Sequence, residues 1–146
     1  MDKVLNYLAL ARKAGLAELG EEPVGAATRA LHGHLVVVAS DASDHTWRRA
    51  KSFVAGTNQQ CLRLPYTKDE MGLAIGRQEL AIAAITDAKL ALSLVQALEQ
   101  PEKHKDVIEV LSDKVEKLKK HQAEAKAHQR NVRVGKVRRT PGTKKD

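Results

Sequence analysis

The sequence predicts an α/β layered sandwich followed by a separate helix and a basic tail. Two patterns predict the sandwich. The continuous apolar runs "LVVVA" at 35–39 and "LAIAAI" at 80–85 read as strands covered on both faces. Segments with helical spacing or helix-start signals alternate with the strands, as in layered α/β chains. Charge sets the C-terminal part aside. Residues 1–100 hold eleven Lys/Arg against eleven Asp/Glu, whereas 101–146 hold fourteen against seven. The whole surplus of +7 therefore lies in the last third. The predicted organisation is an α/β domain over 1–100, a charged amphipathic helix within 101–128 and a basic tail over 129–146.

The elements follow in order. Val4, Leu5, Leu8, Ala9 and Ala11 have helical spacing, which predicts a helix over 2–14 that ends at Gly15. Residues 16–19 form a short edge strand. Pro23 suits the first turn of a second helix reaching about Leu31. A turn at "HGH" leads into the 35–39 strand, and "SDAS" at 40–43 opens a helix over about 44–55. "CLRL" at 61–64 alternates like a strand. "TKDE" at 67–70 has the capping-box pattern and starts a short helix to about Ile75, stopped at Gly76. After the 80–85 strand, Thr86-Asp87 caps a helix over about 88–98. Pro101 then breaks the chain. Ile108, Leu111, Val115, Leu118 and Ala125 give a helix over 107–127 with one narrow apolar seam, facing either its own domain or a partner. From Gln129 the pattern ends. "QRNVRVGKVRRTPGTKKD" holds seven basic residues and one acid, and is expected to be disordered when free.

Composition narrows the function. A neutral body with a basic end points to a polyanion, either nucleic acid or an acidic membrane surface, against a tail that merely solubilises. Cys61 is the single cysteine, so neither a disulfide framework nor a zinc pattern arises; it reads as a small buried apolar residue. The start "MDKVLNYLALARKAG" is too polar for a signal peptide. No apolar run approaches the ~18 residues of a membrane span. The expectation is a cytoplasmic protein without membrane attachment. Four aromatics, Tyr7, Trp47, Phe53 and Tyr66, are too few for a platform that stacks several bases.

No motif argues for catalysis. His32, His34, His45, His104, His121 and His128 make no metal-ligand pattern, and no Gly-x-Ser-x-Gly or phosphate-binding loop of the Walker type appears. Asp41 and Asp44 stand at a strand end, where α/β folds often place sites, but loop and cap chemistry explains them. The expectation is a non-enzyme with no metal and no cofactor.

Several segments together resemble a known family. "LALARKAG", "GEE" opening a helix, "LVVVASDAS", "LPYTKDEMGLAIGRQE" and "LAIAAITD" are similar, in order, to the ribosomal L-seven-Ae/L-thirty-e superfamily over about residues 2–98. The likeness is greatest to its small bacterial branch, and the "DAS" and "MGLAIG" segments are the most specific parts. The resemblance implies a three-layer α/β/α sandwich around a small mixed sheet. It also implies binding to structured RNA, either a kink-turn or ribosomal RNA, in a ribosomal-protein-like role in translation.

The family's RNA face is the start of the second helix, with the pattern Gly-x-Asn-Glu-x-x-Lys. Gly20 matches the glycine. Glu22 falls on the Asn, Pro23 on the Glu and Ala26 on the Lys. A carboxylate only accepts where an amide both donates and accepts, and Pro23 lacks an amide donor. Arg29, later in the same helix, is counted with this face. The face's second part is the loop 76–79, where Arg77 and Gln78 remain able to contact phosphate or base. Arg130, Arg133, Lys136, Arg138, Arg139, Lys144 and Lys145 complete the expected RNA-binding set through their charge. The alternative is a protein-interaction adaptor of the same fold that has lost kink-turn binding, suggested by Glu21-Glu22 and by the helix 107–127.

Overall fold

Asp2 opens the first helix, α1 (Lys3–Lys13), by accepting from the Val4 amide at 2.8 Å. Val4, Leu5, Leu8 and Ala11 are its buried stripe. The structure is a computed structural model and describes residues 2–138. After α1 come β1 (Ala17–Leu19), α2 (Glu21–Arg29), β2 (Leu35–Val38), α3 (Asp44–Val54), β3 (Gln60–Arg63), α4 (Lys68–Ala74), β4 (Ile82–Ile85), α5 (Ala88–Ala97) and α6 (Lys105–Arg138).

The four strands form one mixed sheet in the order β1-β4-β2-β3. β4 runs antiparallel to both β1 and β2, while β2 and β3 are parallel. β2 and β4 occupy the centre, and every residue of both is buried. This is why they read as unbroken apolar runs rather than alternating ones. Helices α2 and α3 pack on each other and on the sheet, while α1 packs on α4, α5 and β1. The predicted layered α/β fold with a small mixed sheet and a C-terminal helix is the observed one.

Four of the helices α1 to α5 start on side-chain caps: Asp2, Ser43, Thr67 and Asp87. Thr67 and Glu70 make the predicted reciprocal box, at 3.1 Å and 2.9 Å. The 80–85 strand is shorter than expected, because the Leu80 amide donates to Lys68 O at 2.9 Å instead of entering the ladder.

Two expectations change at the C-terminal end. The chain divides into units 1–112 and 113–146, not at residue 100. The physical cause is Leu111, which is fully buried in the main core, with Val107 and Ile108 packed against it. The helix expected to end near 128 continues to Arg138, so residues 129–138 are helical rather than disordered. Its apolar seam reports burial, whereas Gln, Arg, Lys and Ala sustain a helix without any seam. The remaining tail, 139–146, lies outside the described residues.

Candidate nucleic-acid interface

Gly20 places the start of α2. Its φ of 96° is a conformation that a side chain would strain. Its amide donates to Ile82 O at 3.0 Å, which ties the helix start to the first residue of β4. Gly20 offers no side chain, so α2 has no side-chain cap. With Pro23 in its first turn, the helix presents the Glu21 and Glu22 amides at its positive end.

The loop 76–79 reaches the same end of the sheet, since it leads into β4. Gly72 makes this path possible. A Cβ on Gly72 would stand 2.5 Å from Glu79 Cα and 2.7 Å from Glu79 N. The loop therefore crosses directly over the α4 backbone. Arg77 N donates to Gly72 O at 2.8 Å, and Gly76 turns the chain at φ 75°. Gly76, Arg77, Gln78 and Glu79 are all exposed. The structure thus places Gly20, Glu22, Arg77 and Gln78 at one end of the sheet. The exposed Pro23 and Ala26 continue the surface along α2.

Glu21 does not face outward alone. Arg49 Nε of α3 donates to Glu21 Oε1 at 2.8 Å, and His45 Nε2 lies 3.9 Å from the same oxygen. The Arg49 guanidinium also lies 4.9 Å from the centre of the Phe53 ring. Arg29 is exposed and lines the same depression of about 490 Å³, together with Glu21, Glu22, Arg49 and Phe53. One of the two glutamates at the helix start is thereby neutralised from a neighbouring helix. Sequence reasoning missed this pairing. Its one signal was the four-residue spacing of His45, Arg49 and Phe53 along one side of α3.

Of the basic C-terminal residues, Arg130, Arg133, Lys136 and Arg138 fall within α6. Arg139, Lys144 and Lys145 lie outside the described residues. Residues set aside at the sequence level have structural roles. Asp41 Oδ1 accepts from the Lys68 amide at 2.8 Å, joining the loop after β2 to the start of α4. Asp44 sits inside α3, and Ser43 is the cap. Cys61 is half-buried, and burial raises its thiol pKa. Among the described residues no three His, Cys, Asp or Glu side chains are grouped to hold a metal ion, and no helix is long and apolar enough to cross a membrane.

No protein-family model matches the chain, and no curated protein matches it. Solved structures do match. A protein with unknown function from Bacillus halodurans C is 26% identical, with a TM-score of 0.64, over 68% of this chain and 100% of that one. A 15.5kD RNA binding protein of Giardia lamblia is 14% identical, with a TM-score of 0.56, over 68% of this chain and 85% of that one. The α/β sandwich of this chain is thus a fold that an RNA-binding protein also adopts.

Proposed function

We propose that the protein is a non-catalytic RNA-binding protein of the ribosomal L-seven-Ae/L-thirty-e type, acting on structured RNA such as a kink-turn or ribosomal RNA. The uncapped start of α2 and the exposed loop 76–79, joined at one end of the sheet through Gly20 and Ile82, carry this reading. An uncapped helix start offers amide donors to phosphate. Arg77 and Gln78 add a charge and a side chain that both donates and accepts. The basic residues from 130 onward supply affinity without sequence preference through counterion release. The shared fold with an RNA-binding protein supports the same reading.

Photo-crosslinking of the full chain to a kink-turn RNA, read by peptide mass spectrometry, tests the placement. Crosslinks concentrated at 20–23 and 76–79 are expected. Crosslinks confined to residues beyond 129 would leave the sheet end without a role. A second reading, a protein-binding adaptor of the same fold, is favoured by one observation: Leu73, beside the loop, is 77% exposed. RNA binding that survives Leu73→Ser unchanged would separate the two surfaces.

A further inference from the structure

A second pocket opens where the parallel strands β2 and β3 end. It holds about 240 Å³ and is lined by Ser40, Arg63, Leu64, Pro65, Gln100, Lys103 and His104. Such crevices at the carboxyl ends of parallel strands are the usual ligand sites of open α/β sheets. Three of its lining residues are basic and none is acidic. Arg63 is the last residue of β3, and its guanidinium lies 5.0 Å from the centre of the Trp47 ring of α3. Its Nε is buried and has no hydrogen-bond partner among the described residues. A buried, charged donor without an acceptor is costly and calls for an explanation. His104 is buried beside it, and Lys103 stands exposed at the rim.

We infer that this pocket is a phosphate-binding site, with the Arg63 Nε–H and the Lys103 ammonium as its charged donors. Ser40 and Gln100 add neutral donors. The volume is below the roughly 300–1,000 Å³ that whole small-molecule ligands fill, so the site takes one group of a larger ligand or a small ester. Leu64 and Pro65 give the apolar wall expected beside a sugar or ester carbon. Val38 at the end of β2 pairs with Ile82 and with Arg63, so this pocket and the loop leading into β4 share one end of the sheet. The phosphate therefore comes either from an RNA backbone passing along that end or from a free phosphate ester. The first source rests on the function proposed above; the site itself does not.

The test uses the full chain with ¹⁵N-labelled arginine side chains, titrated with inorganic phosphate. The Arg63 Nε–H resonance is expected to shift and saturate, and Lys103→Gln to weaken the midpoint by about tenfold, the loss of one charge-assisted hydrogen bond. Arg63→Met is expected to fold and to lose the rise in Tm that phosphate gives the unaltered chain. Duplex RNA added to the phosphate-loaded protein separates the sources. A move of the Arg63 resonance from its inorganic-phosphate position to a new saturating position assigns the site to the RNA backbone; an unchanged shift assigns it to a free ester. A resonance that does not move, or that drifts linearly without saturating, would overturn the site, with Arg63 Nε then satisfied by water. That result is independent of whether RNA binds elsewhere.

Discussion

Glu21 shows how one residue changes meaning once its neighbour is known. On its own it opposes phosphate at the start of α2. Paired with Arg49, it is neutralised, and it also holds a cation that phosphate would otherwise claim. An exposed pair of this kind adds at most about 1 kcal/mol of stability. Glu21→Gln is therefore expected to shift urea-unfolding stability by less than about 1 kcal/mol while tightening RNA binding and steepening its salt dependence by about one phosphate contact. Unchanged affinity in a salt titration would show that Arg49 lies off the RNA path. Gly72 acts in the opposite way, through what it lacks. Gly72→Ala is expected to cost about 1–3 kcal/mol by overpacking against Glu79, and to weaken RNA binding by displacing Arg77 and Gln78. Binding and unfolding of that one variant read both effects.

At the scale of elements, legibility follows from what each signal measures. β2 and β4 were plain in the sequence because both faces are buried, which leaves runs of Val, Ile, Leu and Ala. The capping box at Thr67–Glu70 was equally plain, since its chemistry is local. The Glu21–Arg49 pair was not, because its members lie 28 residues apart and meet only when α2 packs on α3. The extent of α6 was misjudged because an apolar seam marks burial and not helicity. The sequence did not show that Leu111, which follows Pro101, belongs to the core. Leu111→Ala is expected to destabilise the protein by about 2–5 kcal/mol, as measured by urea denaturation. A cost below about 1 kcal/mol would return the boundary to residue 100.

The whole molecule has a predictable response to acid. Burial, and then the charge of Lys103, lowers the pKa of His104 from its ordinary 6.5. The unfolded chain therefore takes up this proton more readily than the folded one, so stability is full above pH 6.5 and falls below it. The Tyr66 hydroxyl, and then the Val4 amide, hold the Asp2 carboxylate below its ordinary 3.8. That contribution is present above pH 3.8 and is lost as pH falls through the lower folded value. Thermal unfolding is expected to show decreasing Tm in two acid steps, with His104→Gln removing the upper one. A Tm that stays flat from pH 7 to 5 would contradict the burial of His104.

In the proposed function, a neutral body presents Arg77 and Gln78 at one end of its sheet for RNA, and the basic C-terminal stretch supplies affinity. Of the candidate site, Gly20 and the loop 76–79 could be singled out in the sequence only through the family resemblance. Its electrostatics were not legible, because they arise between helices. The most direct measurement is RNA binding by three full-length chains: the unaltered protein, an Arg77→Ala/Gln78→Ala variant, and one with the seven basic residues from Arg130 to Lys145 changed to Gln. Each is titrated with a kink-turn, an unkinked duplex of equal length and ribosomal RNA at two salt concentrations. The loop variant is expected to lose discrimination among the RNAs, and the C-terminal variant to lose affinity for all of them with a shallower salt dependence. An unaltered protein that binds none of the three, or variants indistinguishable from it, would contradict the account.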